Sequence, residues 1–329
     1  MDYTVLGFSE KSHVVLVQKQ GEVYTFDMQE RKLKNVEIDF MQDDNLYCIN
    51  SYLIVQKAHH ITIYETNDFN IIDSIVSEHL FNGVVDISKD ANSMLVLQKE
   101  SLYLWDIKNK TVLISFSKKN CDFTSARLSN NSQYCIYITP KKELFIFDLI
   151  ESNHSNILEN IENQMNNFHF HFFEKNNQIH LILSGVFLLK DTDEPRKNIL
   201  VYNVEKQQLE LSSNVSPTNR IPTVKQIVTV TDKYIILLAC YGFMDTQYRL
   251  YFADVNSGKY IDRIDPTGTV GMNSGIEKVF VSENKSSLIA LYYHGEPYND
   301  DIIAHIRTEL YKEEETVIYN LASYELENK

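Results

Sequence analysis

Glycine and proline are scarce in this chain of 329 residues, which has only 10 and 6 of them. This scarcity excludes collagen-like and low-complexity structures. Basic residues are outnumbered, because 31 Lys and Arg stand against 45 Asp and Glu, giving a formal net charge of −14. Such a charge argues against a nucleic-acid partner, since binding to phosphate backbones needs clustered cations. It suits a protein partner of basic charge.

Long apolar runs are also missing. No stretch of 18 apolar residues occurs, so no membrane span and no membrane partner are predicted. The N-terminal residues 1–7 lack the basic region and apolar core of a secretion signal, and we therefore expect a cytoplasmic location.

Cysteine is limited to four widely separated positions, 48, 121, 135 and 240, with no CxxC pair. The close ligand spacing of a zinc site is therefore absent. Cys48, Cys135 and Cys240 lie within strand-like apolar runs, and we interpret them as buried, reduced thiols.

Aromatic residues are abundant, with 20 Tyr and 17 Phe, and this favours strands over helices. One short pattern recurs along the chain: alternating apolar residues, usually an aromatic, then Asp, Asn or Glu. Its polar residue falls at positions 27, 65, 106, 148, 203, 254 and 320. The spacing begins near 40 residues and lengthens later, which is typical of a repeat array.

Three further strand-like runs accompany the pattern in each unit, separated by polar turn clusters such as residues 88–92, 129–132 and 282–285. Four short strands per unit predict an antiparallel sheet, and sheets packed around an axis bury both faces. We therefore predict an all-β fold: a single seven-bladed β-propeller domain of four-stranded antiparallel blades over residues 1–329. A β-sandwich or a solenoid is the alternative. The predicted blades cover approximately residues 2–37, 38–77, 78–118, 119–162, 163–215, 216–265 and 266–329.

The third segment of the array, Leu102 to Ile107, contains Trp105-Asp106, and Phe26-Asp27 and Phe147-Asp148 are close variants. These residues resemble the WD-repeat propeller family, in a divergent form that has no Gly-His dipeptide. The resemblance implies a rigid surface for partners, often around the central channel.

Two modes of ring closure are open at this point. In the first mode, residues 324–327 form the outer strand of the last unit. In the second mode, the N-terminal segment joins the last unit. We favour the first, with closure by packing alone, because the first unit already has four strands. We expect a monomer.

The connections between second and third strands are short in units 1 to 4 and longer in units 5 to 7. With two long inter-unit connections, residues 213–222 and 265–275, this extra material lies on one predicted face. Long loops on a rigid scaffold commonly bind partners, although simple drift in loop length is the alternative. The candidate partner-binding residues are aromatic or apolar anchors and acids: Asp193, Tyr241, Phe243, Met244, Asp245, Tyr292, Tyr293, Glu296, Tyr298, Asp300 and Asp301.

The segment from Glu296 to Glu315 carries seven acids and two bases. Within it, Ile302, Ile306 and Leu310 are spaced i, i+4, i+8, which predicts a short helix. An extended hairpin over residues 299–314 fits equally well.

Sequence patterns typical of catalytic or metal sites are weak in this chain. His169 and His171 form an HxH on one strand face with His180 near by, which is ordinary for a strand and incomplete as a metal site. Asp86, Asn166 and Glu277 are the candidate ligands if the chain is a propeller hydrolase with a channel metal. No G-x-S-x-G, P-loop, G-x-G-x-x-G or H-E-x-x-H motif occurs.

These observations predict a non-catalytic protein-binding propeller without cofactor or metal, docking its partner through the long loops of blades 5–7. Two alternatives stay open. One is a bacterial immunity or antitoxin protein that neutralises a basic toxin, and the other is the metal-dependent hydrolase.

Overall fold

The fold consists of antiparallel strands joined by short turns. The computed structural model describes residues 3–11, 13–99, 101–117, 122–139, 143–157, 161–163, 169–189, 196–216, 222–240, 248–264, 274–294, 302–307 and 317–320.

The strands of the first half form four sheets in chain order. They are β1 (Thr4–Phe8), β2 (Val14–Lys19), β3 (Glu22–Asp27) and β4 (Lys32–Val36); β5 (Asn45–Ile49), β6 (Tyr52–Gln56), β7 (His60–Glu65) and β8 (Ile71–Val76); β9 (Phe81–Ile87), β10 (Ser93–Gln98), β11 (Ser101–Asp106) and β12 (Thr111–Ser117); and β13 (Asp122–Leu128), β14 (Tyr134–Ile138), β15 (Leu144–Asp148) and β16 (Asn153–Asn156).

The strands of the second half continue the same order. They are β17 (Ile161–Asn163), β18 (His169–Lys175), β19 (Gln178–Leu189), β20 (Lys197–Asn203) and β21 (Gln208–Ser213); β22 (Thr223–Val230), β23 (Tyr234–Cys240), β24 (Arg249–Asp254) and β25 (Tyr260–Ile264); and β26 (Ser274–Val281), β27 (Ser287–His294), β28 (Ile302–Arg307) and β29 (Val317–Asn320).

The chain is an all-β propeller with four-stranded blades, but the predicted fold of seven four-stranded blades is wrong. Among the described residues six blades are four-stranded, and the sheet β17–β21 has five strands. The 12-residue strand β19 is long enough to pair with two successive segments: Lys175 to His169 pair with its first half, and Asn163 to Ile161 with its far end.

The last sheet also differs from the prediction. Of the two alternatives for residues 299–314, the helix does not form at residues 302–307, because these residues are the strand β28, which pairs with β27 and β29. The segment Val317–Asn320 is consequently the fourth strand of its sheet, although its sequence pattern predicted a third strand. In the other sheets the aromatic–acid segments are the third strands, as predicted.

Where the structure describes the side chains, burial falls from the middle of a sheet to its outer edge. Second strands are almost continuously buried, as in β14 and β23, because both of their faces are covered by neighbouring sheets. Outer strands are largely exposed, and β8 and β12 present Ile71, Val76 and Leu113 to solvent. The three free cysteines of the described part lie in strands, and Cys135 and Cys240 are buried.

Hydrophobic clusters between neighbouring sheets close the structure into a ring. Trp105 packs with Ile54 between the β5–β8 and β9–β12 sheets. Val5 and Phe26 of the first sheet share a cluster with Ile289 of the last. The first strands pack on one another in most pairs of successive sheets, and β26 packs on β1. Among the described strands, β1 and β29 belong to separate sheets, so closure occurs by packing. The outer strand of the last sheet is β29, and residues 324–327, which were expected to form it, lie outside the described residues.

The acidic residue at the end of a third strand stabilises the turn that follows it. Asp148 Oδ1 accepts hydrogen bonds from the backbone N–H groups of Ile150 and Glu151, at 2.8 and 3.0 Å. Asp27 and Asp254 cap the equivalent turns in the same way. A short side chain that bonds the backbone two and three residues ahead is the Asx turn, which explains why this residue type recurs.

Candidate functional site

The turns between first and second strands form one face of the ring. Three of these turns contain the same arrangement of hydrogen bonds. Each begins with a serine whose hydroxyl donates to an Asx side chain two residues on and accepts from the N–H five residues on. The donated bonds are Ser88 to Asp90 (2.6 Å), Ser129 to Asn131 (2.7 Å) and Ser282 to Asn284 (2.8 Å). The accepted bonds come from Ser93 (3.0 Å), Tyr134 (2.9 Å) and Ser287 (3.0 Å).

The second residue of each of these turns lines a cavity on the ring axis. These residues are Lys89, Asn130 and Glu283, and the cavity has a volume of about 310 Å³. Its walls come from the first strands of the converging sheets and include His171 of β18. Because the serine networks fix the turns, the three side chains are held at the mouth by a rigid frame.

A salt bridge spans this mouth. Lys89 Nζ lies 2.9 Å from Glu283 Oε1, and the two side chains are 43% and 29% exposed. Lys89 belongs to the β9–β12 sheet and Glu283 to the β26–β29 sheet, which are not neighbours in the ring. Lys285 also lines the cavity, and its Nζ donates to the carbonyl of Val230 at 2.8 Å.

Burial and neighbouring charges shift the pKa values of two side chains that line the cavity. Burial, with smaller contributions from the charges of Lys285 and Arg127, lowers the pKa of His171 to about 4. Burial likewise lowers the pKa of Lys285, and the charge of Lys89 adds to this effect. His171 is therefore neutral at pH 7. The negative charges of Asp232 and Glu174 oppose the lowering of the Lys285 pKa.

Asp86 is a buried carboxylate close to the same end of the axis. Its Oδ2 accepts from the N–H of Leu128 in the next sheet at 2.8 Å, and its Oδ1 accepts from that of Ile87 at 3.0 Å. Burial raises the pKa of Asp86 to about 6, although Arg127 and the two N–H donors oppose the rise. Oδ2 thus joins neighbouring sheets, whereas Oδ1 bonds within β9.

The structure does not assemble the predicted metal ligands. Within the described ranges, no three His, Cys, Asp or Glu side chains are grouped as a metal site would require. His180 bonds instead to Glu210 through Nε2 at 3.0 Å, and this carboxylate also accepts from Asn203 at 2.9 Å. Glu277 is exposed and paired with Lys225 at 3.3 Å, and Asn166 lies outside the described residues.

The predicted partner-binding residues fall largely outside the part of the chain that the structure describes. This applies to Asp193, Tyr241, Phe243, Met244, Asp245, Glu296, Tyr298, Asp300 and Asp301. Tyr292 and Tyr293 lie on β27, where their backbones pair with Ile276 and Gly275 of β26.

The axial cavity itself was missed by the sequence analysis. The polar clusters at 88–92 and 282–285 were correctly interpreted as turns, but Lys89 and Glu283 were not considered as a pair. The shared Ser-x-Asx pattern of these turns is the signal that points to equivalent positions on one face.

Comparison with solved structures places the fold among the propellers. The complex of the dihydro-heme d1 dehydrogenase NirN with DHE gives a TM-score of 0.56 at 12% identity, covering 96% of this chain and 67% of that chain. A chain of the mitotic checkpoint complex gives 0.54 at 11%, covering 98% and 87%. The β-propeller domain of Cps50 (Swd1) from Myceliophteria thermophila gives 0.53 at 9%, covering 86% and 88%. At these identities the likeness concerns the fold alone.

Comparisons of the sequence with known families and curated proteins identify no related protein. No protein-family model matches the chain, and no curated protein matches it significantly. In the ranges that the structure describes, no helix has the length and apolar character needed to cross a membrane.

Proposed function

We propose that this chain is a non-catalytic propeller that binds a protein partner through the face opposite the axial cavity. The observation that carries the proposal is where the long connections leave the sheets. In an antiparallel sheet, the connections from second to third strands leave the edge opposite the turns between first and second strands. The long ones join β19 to β20, β23 to β24 and β27 to β28, over residues 190–196, 241–248 and 295–301.

Two inter-sheet connections, 214–222 and 265–273, leave from the same edge of these consecutive sheets. The corresponding connections between second and third strands in the first two sheets are only residues 20–21 and 57–59. The longer connections thus leave from one edge of neighbouring sheets, a distribution that favours a binding surface over random variation in loop length.

The residue types in these connections favour a protein partner of basic charge. Tyr241, Phe243 and Met244 are of the kinds that anchor protein interfaces. Asp193, Asp245, Glu296, Asp300 and Asp301 supply negative charge, which accelerates encounter with a basic surface. The WD-repeat-like dipeptides and the propeller structures that resemble this chain support a binding role, and one of those structures is a multi-protein assembly by its title.

The double substitution Tyr241→Ala with Phe243→Ala tests the face. We expect it to abolish capture of the partner from a cell extract without changing the far-UV circular dichroism, because two interface anchors are removed. The matched control is Ile71→Ala with Ile72→Ala, two exposed apolar residues on the outer strand β8.

Quantitative mass spectrometry of proteins captured by the three forms provides the measurement. A protein retained by wild type and control but lost by the Tyr241/Phe243 variant supports the proposal, and its identity also tests the toxin hypothesis. Equal capture by all three forms rejects this face.

A further inference from the structure

The outer strand β12 lacks the charges that protect other outer strands of the ring. Charged residues occur in β4, β8, β21 and β25, and β16 and β29 have only four residues each. The strand β12 has seven residues, and none of them is charged. It ends its sheet, so its outer backbone groups have no strand partner among the described residues. An edge without such protection can pair with a strand of another chain.

The side chains of β12 add apolar surface at this edge. Val112 and Leu113 are 43% and 53% exposed. Leu113 lies in a bulge between Val112 and Ile114, which pair with β11, and from Ile114 to Ser117 the pairing with β11 is regular. The edge therefore offers a regular backbone segment beside two exposed apolar side chains, a combination that is typical of an interaction site.

Lysines lie beyond both ends of β12. Residues 99–119 contain five lysines and two acids, in a chain whose net charge is −14. Lys110 pairs with Asp73 of the neighbouring sheet at 3.2 Å. Lys108 and Lys99 form no salt bridge with any other described residue. Lys108 precedes the start of β12, and Lys99 lies near its end, because Ser101 pairs with Ser117.

These charges favour one kind of occupant over another. If two copies of this chain paired their β12 strands, lysines of one copy would lie opposite lysines of the other, whichever way the strands ran. Like charges that face each other across a strand pair are destabilising. A strand with acidic ends gains attraction at the same positions, so the charges favour a different protein over a second copy of this chain.

We propose that the free edge of β12 binds an extended segment of a second protein, which is apolar in its middle and acidic at both ends. The segment adds a strand to the sheet, and its backbone hydrogen bonds provide affinity. Its apolar side chains cover Val112 and Leu113, and its acids meet Lys99 and Lys108. This site is an outer strand and does not involve the long loops, so it goes beyond the binding face proposed above.

Fluorescence anisotropy of a labelled synthetic peptide tests the proposal. Valine and threonine alternate in the middle of the peptide, and glutamates stand at both ends. We expect saturable binding to the wild type, and an affinity about tenfold lower for Val112→Ser with Leu113→Ser, because less apolar surface is buried. Lys99→Gln with Lys108→Gln should also weaken binding and reduce its dependence on salt.

Ile71→Ser with Ile72→Ser is the matched control. It removes exposed apolar surface of the same kind from β8, whose edge contains Asp73, and it should bind the peptide like the wild type. Far-UV circular dichroism of all variants should match that of the wild type. Absence of saturable binding, or equal weakening by the control and by Val112→Ser with Leu113→Ser, overturns the site.

Two further peptides test the mode of binding and the charge of the partner. A peptide with proline in its middle should not bind, because proline cannot donate to a strand ladder. Equal binding of this peptide overturns strand addition, and equal binding of a peptide with lysines at its ends overturns the acidic partner. A wild-type dimer in analytical ultracentrifugation that Val112→Ser with Leu113→Ser dissociates assigns the edge to a second copy instead.

Discussion

At the scale of single residues, hydrogen bonds from polar side chains connect neighbouring sheets of the ring. Asp86 joins β9 to the N–H of Leu128 in the next sheet. Asn50 donates from Nδ2 to the carbonyl of Ile87 at 2.5 Å, and Gln226 donates to that of Val279 at 3.2 Å. Each of these contacts spans two neighbouring sheets, so they fix the relative position of sheets that otherwise meet through apolar packing.

Asp86 should make stability depend on pH. Burial raises its pKa from 3.8 to about 6, so the folded protein holds this proton more tightly than the unfolded chain. The stabilisation is complete below pH 3.8 and is lost as the pH rises through about 6. We expect the loss to be of the order of 3 kcal/mol, and Asp86→Asn should remove it.

Urea unfolding between pH 4 and 7 measures this effect as the difference between wild type and Asp86→Asn. Asp254→Asn is the control, because hydrogen bonds from Ser257 lower the pKa of this exposed carboxyl. Its stabilisation is already present above pH 3.8, so its slope in this range should match that of wild type. Parallel curves for all three proteins would show that Asp86 ionises normally.

At the scale of elements, one turn requires glycine. Gly258 has φ of +64°, and a Cβ there would lie 2.5 Å from the Cβ of Ser213, which ends β21 of the preceding sheet. The Ser213 hydroxyl donates to the Gly258 carbonyl at 2.7 Å, so this contact joins two sheets. Any side chain at position 258 must therefore disturb both the turn and the contact.

Gly258→Ala should accordingly lower the free energy of unfolding by about 2–3 kcal/mol, from left-handed backbone strain and the clash with Ser213. Gly83→Ala is the matched control, because a Cβ at Gly83 meets its nearest neighbour at 3.6 Å and its φ is not positive. Chemical denaturation of both variants measures the difference. A smaller loss for Gly258→Ala than for Gly83→Ala would contradict this account.

The sequence pattern predicted most third strands because two of its residue types have local roles. The acidic residue caps the following turn, and the aromatic residue before it packs between sheets. The same pattern failed at Val317–Asn320, since alternation predicts a strand but not its neighbours, and pairing with β28 makes this segment the fourth. Residues 302–307 fit helical and strand periods alike, and only pairing with β27 decides between them.

The five-stranded sheet was also beyond prediction, because β17 has three residues and leaves almost no periodicity to detect. The axial cavity needed the ring itself, since Lys89 and Glu283 are separated by most of the chain. Local turn chemistry was thus accessible from sequence, whereas the site formed by several turns together was not.

At the scale of the whole molecule, packing between the first and last sheets should make unfolding cooperative. Ile289 is fully buried in the cluster that closes the ring, and Ile54 is fully buried in the cluster around Trp105. We expect Ile289→Ala and Ile54→Ala each to lower the free energy of unfolding by about 2–5 kcal/mol in a single transition.

Two probes measure this transition. The fluorescence of Trp105, the sole tryptophan of the sequence, reports on one pair of sheets far from Ile289, and far-UV circular dichroism reports on all strands together. In a closed ring, Ile289→Ala shifts both midpoints together, although the substitution is remote from Trp105. A tryptophan midpoint that moves with Ile54→Ala but stays fixed with Ile289→Ala would show that the sheets unfold independently.

The ion pair between Lys89 and Glu283 connects two sheets across the central cavity that are not neighbours in the ring. Widening the opening must first separate these two charges. Since both are partly exposed, dissolved salt weakens their attraction. We therefore expect the opening of the cavity, and with it the entry of solutes, to depend on ionic strength. The apolar packing between sheets should not depend on it in this way.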